Sequence, residues 1–110
     1  MNLTAEEREW LDAYRKALEK QHPGAVERMV IYGSKARGEG SPESDLDVLL
    51  IVRNASAQLK RELRRIGHLL AATSDAVPSI LVYTQDEWES RRESGSPLYR
   101  AVGRDGVRVL

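Results

Sequence analysis

The chain contains no cysteine. Disulfides, thiolate nucleophiles and cysteine-based zinc sites are excluded, and the absence fits a reducing compartment. Net charge is missing as well. Seventeen Lys and Arg offset seventeen Asp and Glu, which argues against bulk electrostatic capture of nucleic acid or of a membrane surface. No apolar run approaches the ~18 residues of a membrane span. The acidic start MNLTAEEREW has no apolar stretch of signal length. The expectation is a cytoplasmic protein without membrane association. With 110 residues, 41% of them hydrophobic, residues 1–110 are expected to form one domain around a single core.

Periodicity and punctuation place the elements. TAEE opens a helix, with Thr4 as cap and Glu7 completing a capping box. Trp10, Leu11, Tyr14 and Leu18 then fall on one face, and Pro23 and Gly24 stop it. Val26–Tyr32 is β-branched and reads as a strand ended by Gly33 and Ser34. KARG forms one short helical turn, EGSPES a loop, and DLDVLLIV a second strand. The unbroken apolar part of that strand, Val48–Val52, predicts a central position. Ser56 caps a helix carrying Leu59, Leu63, Ile66 and Leu70. Val77–Tyr83 is a third strand, and Pro78 near its start favours a sheet edge. TQDE is a second capping box, opening a helix through Trp88. PLYRAV is a short helix, RDG a turn, and VRVL a closing strand. The order predicts a small mixed α/β or α+β sandwich.

Asp45 and Asp47 carry the chemistry. At i and i+2 on a strand, both carboxylates project from one face. Two such charges repel unless a cation lies between them. All-oxygen ligands select a hard ion, Mg²⁺, which is commonly held by one or two carboxylates together with substrate phosphates. Upstream, Gly33 permits close backbone approach. The Ser34 hydroxyl and the following N–H groups can donate to phosphate oxygens, while Lys35 and Arg37 add positive charge. A P-loop reading fails, because Glu39 follows Gly38 where lysine is required. An EF-hand fails too, because DLDVLLIV turns apolar at once.

GSKARGEGSPESDLDVLLIV resembles the nucleotidyltransferase signature: Gly-Ser, Ala-Arg-Gly, a polar loop, then Ser-Asp-x-Asp entering a strand. The short chain looks like a minimal nucleotidyltransferase (MNT), a stand-alone domain of the DNA polymerase β-like superfamily of the kind paired with HEPN toxins. VYTQDEWE and SPLYRAVGRDGVRVL are similar to the C-terminal part of that family. The resemblance implies an α+β fold, a mixed sheet with helices packed mainly on one side. It implies that Gly33 and Ser34 contact nucleotide phosphates and that Asp45 and Asp47 are catalytic and bind Mg²⁺. The implied substrate is ATP, and the implied acceptor is a hydroxyl, commonly a tyrosine, on a HEPN-type helical partner modified by adenylylation.

One position departs from the pattern. The family carries a third carboxylate on the next core strand, and here that position falls on Ser79; Val77–Thr84 contains no acid. Asp75 and Asp86 flank the strand without the expected register. Two readings follow: an AMP transferase working with two carboxylates, as a toxin–antitoxin antitoxin, or a degenerate nucleotide- or partner-binding module acting by contact. So short a chain has no separate acceptor domain, which predicts a hetero-complex, a homo-oligomer, or both. The basic stripe Lys60, Arg61, Arg64 and Arg65 reads as a solvated helix face. His22 and His68 receive no role, Trp10 and Trp88 are packing residues, and Tyr32 reads as a buried strand tyrosine.

Overall fold

Helix α1 (Ala5–Gln21) begins where the sequence caps it. The Thr4 hydroxyl accepts from the Glu7 N–H at 3.1 Å, and the Glu7 carboxylate accepts from the Thr4 N–H at 2.8 Å. Its inward face carries Trp10, Leu11, Tyr14 and Leu18. Strand β1 (Val26–Tyr32) leads without a loop into the short helix α2 (Gly33–Arg37), which ends at Gly38 in the left-handed region. Strand β2 (Leu46–Val52), helix α3 (Ala57–Ala71), strand β3 (Pro78–Thr84), helix α4 (Gln85–Glu93), helix α5 (Pro97–Asp105) and strand β4 (Val107–Arg108) complete the chain. The computed structural model covers all of residues 1–110.

The sheet order is β3-β2-β1-β4. Consecutive strands β1 and β2 pair antiparallel, and β4 adds antiparallel to β1. β2 and β3 pair parallel, and α3 supplies the crossover that a parallel pair demands. The sheet is therefore mixed. β2 is central and buried at every position except Asp47, as its continuous apolar run predicts, and β3 lies at an edge, as Pro78 predicts.

Side-chain alternation splits the core in two. Leu46, Val48, Leu50 and Val52 join Met29 and Ile31 in the larger cluster with Trp10, Tyr14, Leu18, Leu63 and Ile66, so the two long helices α1 and α3 cover that face. The Trp10 indole N–H donates to the Gly67 carbonyl at 2.9 Å and the Tyr14 hydroxyl to the Leu63 carbonyl at 2.7 Å, which satisfies both buried polar tips. Gly67 is obligatory at this crossing, because a Cβ there would press on Ile80 Cδ1 and Tyr14 Cζ. The opposite face carries Val30, Leu49 and Ile51, covered by Trp88 of α4 with Leu98, Tyr99 and Val102 of α5. Most helical mass lies on one side, and two nine-residue helices cover part of the other.

Several boundaries differ from the sequence expectation, β3 by one residue at each end. β2 starts at Leu46, so Asp45 stands one residue ahead of it. The expected RDG turn is instead the last turn of α5, held by the Gly106 N–H on the Val102 carbonyl at 2.8 Å and by Arg104 paired with Asp105. β4 is two residues long; Val109 and Leu110 continue beside Met29 with irregular hydrogen bonds.

Candidate active site

Register assembles the site. Asp47 stands opposite Tyr32 of β1 on one side and Ser79 of β3 on the other, so three strands meet at one level of the sheet. Gly33 follows Tyr32 directly, which lays the first residue of α2 against Asp47. Its backbone has φ +76°, and a Cβ at this position would overlap Asp47 Oδ2 and lie 3.2 Å from Asp47 Cγ. Glycine is therefore required twice, for conformation and for space.

An alanine at position 33 tests both requirements. Gly33→Ala is expected to cost ~1–2 kcal/mol for the left-handed backbone and roughly 1–3 kcal/mol more for the collision. In an Asp47→Ala background only the backbone cost should remain. Urea unfolding of the double-mutant cycle separates the two, and equal costs in both backgrounds would rule out the close approach.

Electrostatics disfavour the charged form of Asp47. Partial burial and the neighbouring Asp45 push its pKa up, and Arg37 offsets this only in part. Asp45, although outside the strand, is thus close enough to act on Asp47. Tyr32 is pushed up to about 12 by burial, Asp47 and Tyr83, so it stays a neutral phenol beside the carboxylates. No group of three or more His, Cys, Asp or Glu side chains has metal-holding geometry. Asp75 lies in an exposed bend and Asp86 in the first turn of α4, and the residue beside Asp47 on β3 is Ser79.

The remaining expected site residues divide. Ser34 is half-buried, with its hydroxyl on the side of Gly40. Arg37 is partly exposed; its guanidinium pairs with Glu39 at 3.0 Å and reaches Asp105 at 3.5 Å. Lys35 does not join this group. It is 1% exposed, and its ammonium meets Glu7 of α1 at 3.0 Å. α2 buries Lys35 and Ala36 and leaves Arg37 open, so the expectation that Lys35 faces a phosphate gives way to a structural role.

Several supports were not anticipated. Glu7 Oε1 takes both the Thr4 N–H and the Lys35 ammonium. Asn2 straps the loop after α2, its backbone N–H on the Lys35 carbonyl at 3.0 Å and its side-chain amide on the Gly40 carbonyl at 2.7 Å. Asp105 holds Arg37 and Arg104 together. Elsewhere, two of the four residues of the basic stripe are paired, Lys60 with Glu87 and Arg65 with Glu62. His68 is exposed, and His22 lines an open hollow of about 630 Å³ with Arg61 and Arg65.

Residues 11–100 match the protein family described as the nucleotidyltransferase domain. The chain belongs to that family. Solved structures with the same fold include a toxin–antitoxin complex with AMP-PNP at 17% identity, covering 90% of this chain and 71% of that one with a TM-score of 0.59. A mutant MntA–HpeT toxin–antitoxin complex matches at 18% identity, over 91% of this chain and 71% of that one, again with a TM-score of 0.59. A candidate nucleotidyltransferase from Sulfolobus solfataricus matches at 14% identity, over 97% and 87%, with a TM-score of 0.53. No curated protein matches. At these identities the structures establish the nucleotidyltransferase fold, in agreement with the mixed sheet and its flanking helices. No helix of this nucleotidyltransferase domain is long and apolar enough to cross a membrane.

Proposed function

We propose that the domain binds ATP with Mg²⁺ and transfers AMP to a hydroxyl on a partner protein. The observation that carries this reading is the contact of Gly33 with Asp47. It sets the start of a Gly-Ser segment against Asp47, whose charged form is disfavoured by burial and by Asp45 and would be favoured by a bound cation. The donor set fits a hard divalent ion, and Asp45 and Asp47 are the residues that would hold it. Bound Mg²⁺ would neutralise charge on the phosphates and on the leaving pyrophosphate.

The chain's own groups supply the rest. Backbone N–H groups and the Ser34 hydroxyl would hold phosphate oxygens, and Arg37 would add the nearby positive charge. The acceptor oxygen forms a bond to the α-phosphorus as the bond from that phosphorus to the β-bridging oxygen breaks, and pyrophosphate departs. Position 79 offers no carboxylate for the acceptor proton, which passes to water. The similar toxin–antitoxin structures, one of them with an ATP analogue, support a partner toxin and an antitoxin role; that the toxin is helical and HEPN-type is what the sequence resemblance implies.

A second reading rests on Ser79. With a neutral side chain opposite Asp47 and no third carboxylate, the domain would hold nucleotide and contact its partner without rapid transfer. Calorimetric titration of ATP with and without Mg²⁺, on wild type and on Asp45→Asn/Asp47→Asn, tests the shared step. Binding is expected to require Mg²⁺ and to vanish in the double variant. Binding indifferent to both would remove the nucleotide site from residues 33–47. Label from ATP appearing on a co-purified partner then selects transfer over contact.

A further inference from the structure

Strand β3 is an edge with little to protect it. It is seven residues long, pairs with β2 without a bulge from Pro78 to Thr84, and carries no charged side chain. Edges in soluble proteins are usually blunted by charges, bulges or proline, because their free backbone groups are templates for another strand. Here only the first residue is a proline.

The ladder shows which groups are free. The Leu46 N–H donates to the Val77 carbonyl at 2.9 Å, and Leu46 stands opposite Pro78. That parity turns the backbone groups of Val77, Ser79, Leu81 and Tyr83 toward β2, and those of Pro78, Ile80, Val82 and Thr84 outward. Of these outward residues, Pro78 has no N–H, and the Thr84 N–H is already taken by the Glu87 carboxylate at 2.8 Å. The open donors are Ile80 and Val82.

We propose that β3 pairs antiparallel with β3 of a second copy of this chain, about a two-fold axis at Leu81, joining two four-stranded sheets into one. In this register Ile80 of each copy faces Val82 of the other, and each pair exchanges both of its hydrogen bonds. Pro78 falls opposite Thr84, so the residue without a donor meets the residue whose donor is occupied, and no N–H is orphaned. A heterologous strand would have to match this pattern; the strand's own copy does so by symmetry. No like charges meet across the junction. Beside the end of the strand lies an open hollow of about 430 Å³ lined by Tyr83, Glu87, Ser90, Arg91 and Ser94, so the chain itself does not fill that flank. The pairing also sets Tyr83 of one copy opposite Ser79 of the other, on the face that carries Asp47. It depends on the sheet edge alone and holds with or without nucleotide.

Sedimentation velocity at micromolar concentration is the test. The wild type should sediment as a dimer. Leu81→Lys and Leu81→Glu each place like charges at the axis and should sediment as monomers with unchanged circular dichroism, and their equimolar mixture should recover the dimer. Leu81→Cys adds the chain's sole thiol. Opposed non-hydrogen-bonded residues sit about 4.5 Å apart at Cα, within the ~4.4–6.8 Å that a disulfide spans. Mild oxidation should therefore give a covalent dimer, which Ser94→Cys should not. If the charge variants misfold, this cross-link decides. A monomeric wild type, a dimer indifferent to charge at 81, or an absent Leu81→Cys cross-link overturns the pairing.

Discussion

Replacing Ser79 with aspartate is expected to raise nucleotidyl transfer by at least ~10²-fold, within the ~10²–10⁴ that a positioned general base contributes. Register is the reason. Ser79 is the Cα partner of Asp47 across the parallel ladder, so a carboxylate there stands beside Asp47, with Asp45 two residues along the chain. The change should cost stability without metal, since a third negative charge adds to the burial and repulsion that already raise the Asp47 pKa. Mg²⁺ should reverse that loss, because a ligand that binds only the folded state stabilises it by mass action. Radiolabelled ATP and thermal melts with and without Mg²⁺ measure both effects, with Ser79→Asn as the neutral control. Equal behaviour of the Asp and Asn variants would favour the contact-only module.

Glu7→Gln should destabilise the fold by about 3–5 kcal/mol, the usual result of leaving one member of a buried ion pair unpartnered. Lys35 is 1% exposed and Glu7 3%, so water cannot replace the lost charge without opening the structure. Glutamine can still accept from the Thr4 N–H, which keeps the helix cap and isolates the charge. The double variant Glu7→Leu/Lys35→Met should recover most of the loss, because an apolar pair of similar volume is often as stable as the buried ion pair it replaces. Urea denaturation of wild type, Glu7→Leu, Lys35→Met and the double variant closes the cycle, with Glu7→Gln measured alongside. A cost below ~1 kcal/mol for Glu7→Gln, the range of exposed pairs, would mean that solvent reaches Lys35. Because Lys35 neighbours Ser34 in α2, the single variant should also weaken nucleotide binding.

Local chemistry was readable wherever one segment dictates its own structure. Both capping boxes, Thr4 with Glu7 and Thr84 with Glu87, form as their spacing requires. The central place of β2 follows from Val48–Val52, and the edge position of β3 from Pro78. The alignment of Ser79 with Asp47 was legible only through the family resemblance, which places a carboxylate at that position of the next core strand. Side-chain direction on α2 was not. Five residues make little more than one turn, too few for a periodic pattern to show that Lys35 turns inward and Arg37 outward. Nor could sequence show that Glu7, already explained by its cap, also partners a lysine 28 positions away. RDG read as a turn because of its composition; Asp105, paired with Arg37 from a distant segment and with its neighbour Arg104, sits in a helix that runs three residues past the expected PLYRAV.

The Asn2 strap has a practical consequence for anyone purifying this protein. An affinity tag fused ahead of Met1 would leave the fold next to the residue whose backbone and side chain hold Lys35 and Gly40, beside the loop that follows the Gly-Ser segment. A tag after Leu110 leaves from beside Met29, in a strand next to β4 at the far end of the sheet from β3. Tag placement thus becomes an experimental variable, and assays of nucleotide binding belong with the C-terminal version or with tag-free protein.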